Sequence, residues 1–335
     1  MNKGGERNRK GFDSCHLNVK TSCTEAVKMN PLSEIRSFIT DLMPKLAFPA
    51  DSQSTFLSAL DKISADKTAT AWFLSLLAQH DKSETCDYLQ MLDHIKAMSE
   101  VVGVHEYTLS TLLFLCLAKK LRERYEEKEI SEEIFIASLK DLTYKLHECR
   151  KVYKLDGTCV AWWYPGFFRL TRFALGRLQF EIVRLQKDYK IGETLLPKDS
   201  KAINMHIPRS GKLIHDEVLE AYKLAAEFFR DEFQNEPVVF TCTSWLLYPF
   251  NFTFLPKESN LGLFYGDFNV VEVSEHEATS GTMRNIFGLE DVTDPSELPR
   301  DTTLRRAYAE RIEKGEPVGA GRGFFIYEDG KIIKE

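Results

Sequence analysis

Arg209, Ser210, Gly211 and Lys212 set two cations, a hydroxyl and a glycine in a row, between an extended segment and a helical one. Unpaired backbone N–H groups and the helix dipole both favour an anion at such a junction, so a phosphate or pyrophosphate suits the loop. An ordinary polar turn uses the same residue types, and Asp216 and Glu217 in the first helical turn oppose an anion. Downstream, Cys242 and Ser244 share one face of a strand. If the strand carrying His206 lies beside it, the imidazole can activate either group as a nucleophile, whereas a mid-strand cysteine flanked by Phe240 and Thr241 also fits plain packing. The amide of Asn260, following Ser259, can orient a substrate or cap the local backbone. A second glycine-rich stretch, Gly319-Ala320-Gly321-Arg322-Gly323, lies between a helix and a strand, the reverse of the order used by phosphate loops. It reads as a flexible entry into the last hairpin.

These residues need a scaffold, and the periodicity supplies one. Ile203, Met205 and Ile207 alternate with Ala202, Asn204 and His206, which predicts a half-buried strand with Asn204 and His206 on one face. The helix that follows carries Val218, Leu219, Tyr222, Ala225, Ala226, Phe229 and Phe233 on its buried side. Strands are predicted over 238–245 and 268–274, a helix over 302–314, and a closing hairpin over 323–334 that turns at Asp329-Gly330. Before position 154 the pattern is helical nearly throughout. Ile35, Phe38, Ile39 and Leu42 make one apolar stripe, and similar stripes recur up to Leu146. A helix is predicted over 166–189, buried on two sides by Phe168, Leu175, Leu178, Ile182 and Leu185 on one face and by Phe173 and Phe180 on another. On that helix Arg177 and Glu181 form an i, i+4 pair.

The expected architecture is therefore α+β, with three parts: a tail over 1–30, a helical domain over 31–155, and a mixed domain over 156–335 that includes the bridging helix. At 335 residues, 43% of them hydrophobic, the chain exceeds the usual size of one core. A net charge of −6 argues against a dedicated nucleic-acid binder, and the only basic bias lies in residues 1–28, with six Lys/Arg against three Asp/Glu. The apolar run Leu109–Ala118 is too short to span a bilayer and reads as a buried helix. No secretory signal pattern opens the sequence, so a cytoplasmic protein without a membrane partner is expected. Seven cysteines, at 15, 23, 86, 116, 149, 159 and 242, contain no CxxC pair and no zinc spacing, so no metal is expected. His80, His94 and His147 are isolated along the chain.

His206-Ile207-Pro208, Phe228-Phe229, Cys242-Thr243-Ser244-Trp245-Leu246-Leu247 with Pro249, Ser259-Asn260 and the stretch 264–268 occur in an order and spacing that resembles a known family. The runs 176–181 and 298–307 are similar too, so the likeness spans most of 31–327. It is to the acyltransferase-domain proteins of Gram-positive anaerobes, which join a helical N-acyltransferase N-terminal domain to a GNAT-like C-terminal domain. The resemblance implies transfer of an acyl group from acyl-CoA or acetyl-CoA to a small-molecule amine or peptide acceptor. In that scheme His206 is the base, and Cys242, Ser244 or Tyr265 stands near the leaving group. Arg209, Ser210, Gly211 and Lys212 surround the phosphates, and Trp245, Asn260 and Arg177 contact substrate. The loop departs from the glycine pattern that GNAT enzymes use for pyrophosphate, having one glycine where they have two. The alternative is a non-catalytic GNAT-like module that binds a ligand or a protein; a Cys242-dependent hydrolase is a third reading.

Overall fold

The computed structural model describes residues 31–82, 86–234, 236–291 and 294–333. The tail expected over 1–30 lies outside the described residues. The first seven helices are α1 (Pro31–Lys45), α2 (Ala50–Ala65), α3 (Lys67–Lys82), α4 (Tyr88–Val102), α5 (Glu106–Glu127), α6 (Glu132–Leu139) and α7 (Asp141–Tyr153). They pack around α5, which is buried on every side from Thr108 to Ala118. The apolar run read as a core helix is the centre of this bundle. Among the described residues no single helix is long and apolar enough to cross a membrane.

Seven strands of the second half form one sheet in the order β1 (Arg172–Leu175), β2 (Leu178–Arg184), β5 (Lys201–His206), β6 (Val238–Ser244), β8 (Val318–Glu328) and β7 (Asn269–His276), with β9 (Lys331–Ile333) also on β8. A separate hairpin pairs β3 (Tyr189–Ile191) with β4 (Thr194–Leu196). All neighbours are antiparallel except β5 and β6. The crossover between those two is α8 (His215–Phe228), as a parallel pair requires. Shorter helices α9 (Asn260–Gly266) and α10 (Thr303–Glu313) complete the domain. One sheet face is apolar: Phe180, Met205, Phe240 and Phe325 pack with Val218, Ala221, Tyr222 and Ala225 of α8 in one core. The Phe240 and Phe325 rings stack at 4.8 Å, and each buried ring contributes on the order of 2 kcal/mol from area alone.

The helix expected over 166–189 does not form. Its place is taken by the β1–β2 hairpin, in which Arg172 faces Glu181 and Leu175 faces Leu178. Leu175, Leu178 and Ile182 fit a helical stripe, but Phe173, Leu175, Leu178, Phe180 and Ile182 fit strand alternation as well. Gly176 decides between them, because its φ of +64° is the left-handed turn conformation that glycine reaches without penalty. The i, i+4 pair of Arg177 and Glu181 is lost with the helix, and Glu181 pairs instead with Arg172 across the strands.

The Gly319–Gly323 stretch also differs from expectation. It is part of β8, and its glycines admit neighbours rather than flexibility. A side chain at Gly321 would meet the Leu247 carbonyl oxygen, and one at Gly323 would lie 2.7 Å from the Phe268 side chain.

Candidate active site

β5 and β6 are in register only at Ile203↔Phe240 and Asn204↔Thr241. Towards their C-terminal ends the two strands leave each other, and a cavity of about 680 Å³ opens there. Met205, His206, Ile207 and Pro208 line it from the β5 side, and Cys242, Thr243, Ser244 and Trp245 from the β6 side. The helical half closes the third wall with Asp141, Lys145 and Glu148 of α7 and with Trp162 and Trp163. α7 brings its three residues to one wall because positions i, i+4 and i+7 share a helix face.

The polar face of the sheet makes the chemistry. Arg172, Gln179, Glu181, Asn204 and His206 alternate with core residues on β1, β2 and β5, and the register sets Glu181 opposite Asn204 and Gln179 opposite His206. His206 Nε2 lies 2.6 Å from Glu181 Oε1. Arg172 donates to both oxygens of the same carboxylate at 3.0 and 3.1 Å, and Asn204 Nδ2 donates at 3.3 Å. The Arg172 guanidinium lies 3.8 Å over the Trp163 ring, and that ring stands edge-on to His206 at 4.7 Å. Burial opposes the charge on Glu181, but His206, Arg172 and Asn204 outweigh it and hold the carboxyl down at about 2. Burial is the larger influence on His206 and lowers its pKa from 6.5 despite the carboxylate beside it. The imidazole is neutral at pH 7. Because Nε2 faces Glu181, the lone pair available for proton abstraction is on Nδ1.

The cavity also gathers charge. Lys145, Arg177, Arg209, Lys212 and Arg284 line it against two carboxylates, Asp141 and Glu148, in a chain that is acidic overall. Arg177 is committed: its guanidinium donates to the carbonyls of Pro208, Gly211 and Lys212 and so shapes the loop after β5. It clamps the loop while also lining the cavity. Arg209 donates to the carbonyls of Arg284 and Asn285 at 2.7 and 2.9 Å, tying that loop to the segment after β7. Gly211, with a φ of +119°, allows the turn. Ser210 faces a smaller neighbouring cavity of about 160 Å³, away from the main one.

The remaining expectations divide. His206 and the Cys242 strand are neighbours, as the sequence argument required, but register puts the two side chains on opposite faces. Ile203 pairs with Phe240, so Cys242 points into the core with Met205 while His206 points to the polar side. Cys242 is 1% exposed, and burial pushes its thiol up to about 12, which removes the thiolate that a nucleophile needs. Ser244 lines the cavity, and its oxygen accepts from the Leu246 N–H at 3.2 Å. Trp245 and Asn260 line the cavity as well, Asn260 as the first residue of α9 behind the Ser259 cap. Tyr265 does not line it; its ring stacks on Phe252 at 3.7 Å. Sequence reading missed Arg172, Glu181, Trp163 and Asp141. The signal for the first two was the strand alternation around Gly176, hidden by the helical reading.

An N-acyltransferase N-terminal domain matches residues 37–170, and a GNAT-like C-terminal domain matches 172–325. The two matches together take in most of the described residues. The two matches meet between 170 and 172, at the first residue of β1. The chain is similar in fold to an acyltransferase solved in complex with decanoyl-CoA and teicoplanin, at 18% identity and a TM-score of 0.63 over 87% of this chain and 88% of that one. It is similar to an acyltransferase in complex with decanoyl-CoA, at 20% identity and 0.63 over 85% and 86% of the two chains. An acyltransferase mutant in complex with octanoyl-CoA matches at 17% identity and 0.63 over 87% and 88%. No curated protein matches the chain. Among the described residues no group of His, Cys, Asp or Glu is placed to hold a metal ion.

Proposed function

We propose that the cleft between the separated ends of β5 and β6 binds an acyl-coenzyme A and transfers its acyl group to an amine. The observation that carries the reading is the split parallel pair, with a neutral His206 backed by Glu181 at its edge and cationic side chains around the loop beyond it. Where a strand pair separates, main-chain N–H and C=O groups face the gap and suit an amide-bearing arm such as pantetheine. Lys212 and Arg284 match the phosphates, and Met205, Leu246 and Leu261 offer apolar wall to an acyl chain. The similar structures with decanoyl-CoA or octanoyl-CoA support a medium-chain donor.

In this scheme His206 Nδ1 removes a proton from the acceptor ammonium. The amine nitrogen attacks the thioester carbonyl, the C–S bond breaks, the thiolate takes the proton held by the imidazolium, and the freed imidazole passes the nitrogen's second proton to solvent. One proton is released to solvent for each amide formed. Glu181 holds the imidazole orientation and stabilises its protonated form, and Arg172 holds Glu181.

Calorimetry with octanoyl-CoA, followed by transfer assays on wild type and His206→Ala, tests the reading. Donor binding should persist in the variant while transfer falls about 10²- to 10⁴-fold. Wild-type kcat/KM should decline in acid as the imidazole protonates, at a lower pH than a free histidine would set, because burial lowers its pKa. Failure to bind any acyl-CoA removes the mechanism, and binding without turnover leaves a non-catalytic GNAT-like module.

A further inference from the structure

Two carboxylates face the cleft, and their surroundings differ. Glu148 is neutralised by three cations, Lys145 at 3.6 Å, Arg284 at 3.4 Å and Arg209 at 3.9 Å. Asp141 forms no ion pair among the described residues, although it is 1% exposed. Its Oδ1 accepts from Gln179 Nε2 at 2.8 Å, while Oδ2 is buried with no hydrogen-bond partner among the described residues. Leaving a buried carboxylate oxygen unmatched costs about 1–3 kcal/mol or more, so a fold that keeps one against a cavity keeps it for an occupant. Burial raises the Asp141 pKa above the usual carboxylate range, outweighing the downward pull of Lys145 and Gln179.

The position of Asp141 matters as much as its unmatched oxygen. Gln179, which holds it, is the direct cross-strand partner of His206, so the unmatched oxygen and the imidazole are separated by a single side chain. Trp163, edge-on to His206, carries a second unmatched buried atom, its indole Nε1. The loop cations lie with the segments after β5 and β7, whereas Asp141 belongs to α7 of the helical half.

We propose that Asp141 is the anchor for the ammonium group of the acceptor, and that the helical domain thereby supplies the acceptor site while the sheet domain supplies the donor site. The inference rests on the acyl-transfer reading above. Asp141 Oδ2 accepts a hydrogen bond from the incoming R–NH3⁺, and His206 Nδ1 takes one of its other protons. The freed lone pair then attacks, and the carboxylate releases the nitrogen once it has become an amide, which carries no charge. Ammonium acceptors are favoured over alcohols of the same shape, because only the cation compensates the buried charge.

The test uses the full chain with octanoyl-CoA as donor and phenethylamine, tyramine and Nα-acetyl-lysine as acceptor probes, following thiol release and amide mass. Asp141→Asn keeps the shape and the Gln179 contact but removes the charge. The expected result is a KM for the best amine at least about tenfold higher, with donor affinity unchanged. An unchanged KM overturns the proposal, and so does a parallel loss of octanoyl-CoA affinity, which would place Asp141 in the donor site. Hydrolysis of bound octanoyl-CoA with none of the three amines acylated by wild type also overturns it. Loss of the fold in both Asp141→Asn and Asp141→Ser would mark the residue as structural and overturn it too. If wild type does not bind octanoyl-CoA, the acyl-transfer reading itself fails, an outcome distinct from all of these.

Discussion

Glu181→Gln should cost the fold on the order of 3 kcal/mol at neutral pH, through electrostatics and with almost no change in volume. The native carboxyl is lowered from 4.5 to about 2 although burial works against it. At about 1.4 kcal/mol per unit, that shift is on the order of 3 kcal/mol in favour of the ionised form, an upper figure at neutral pH because it includes the pull of a charged His206. The residue is only 18% exposed at its side chain and Arg172 only 11%, so solvent screening removes little of it. Glutamine leaves the guanidinium buried over Trp163 without an anion, the situation in which a broken buried pair is most costly. Because the folded pKa lies below the unfolded one, this contribution is complete above pH 4.5 and is lost as pH falls towards 2. Urea titration at pH 7.5, where His206 is neutral, gives the measurement, followed by the fluorescence of the four tryptophans, Trp163 among them. A cycle with Arg172→Met should return a coupling of about 1–3 kcal/mol. A Glu181→Gln variant within about 0.5 kcal/mol of wild type, or a negligible coupling, would refute the argument that this buried triad holds the imidazole.

Two further outcomes follow from the geometry. Iodoacetamide applied to the native protein should leave Cys242 unmodified, since a thiol pushed up to about 12 and 1% exposed presents no thiolate; mass spectrometry before and after urea reads this, and native labelling would contradict the packing assignment. Gly321→Ala should destabilise by at least about 2 kcal/mol or prevent folding, because the new methyl meets the Leu247 carbonyl directly behind the cleft; a wild-type thermal midpoint would show that β8 and the Trp245–Leu247 turn can separate.

Sequence alone determined the division into a helical first half and a mixed second half, because period-3.6 stripes up to Leu146 and period-2 alternation after Ala202 are local properties of the chain. It also determined the strand that carries His206, the loop Arg209–Lys212, the helix behind it and the strand with Cys242 and Ser244, since each is a short run with its own periodicity and turn residues. The nature of 172–184 was ambiguous in the sequence because its apolar residues satisfy both periods, and only the cross-strand pairing of Phe173 with Phe180 and the turn at Gly176 resolved it. Tertiary structure alone decided who faces whom. A strand shows which of its residues share a face, but not the register against its neighbour, and a register shift by one residue exchanges the faces. That register separates Cys242 from His206 and brings Glu181 and Arg172 to the imidazole from a hairpin over 20 positions away. The splitting of β5 from β6, and the arrival of Asp141 from α7, depend on packing between two halves of the chain, and no local pattern encodes them.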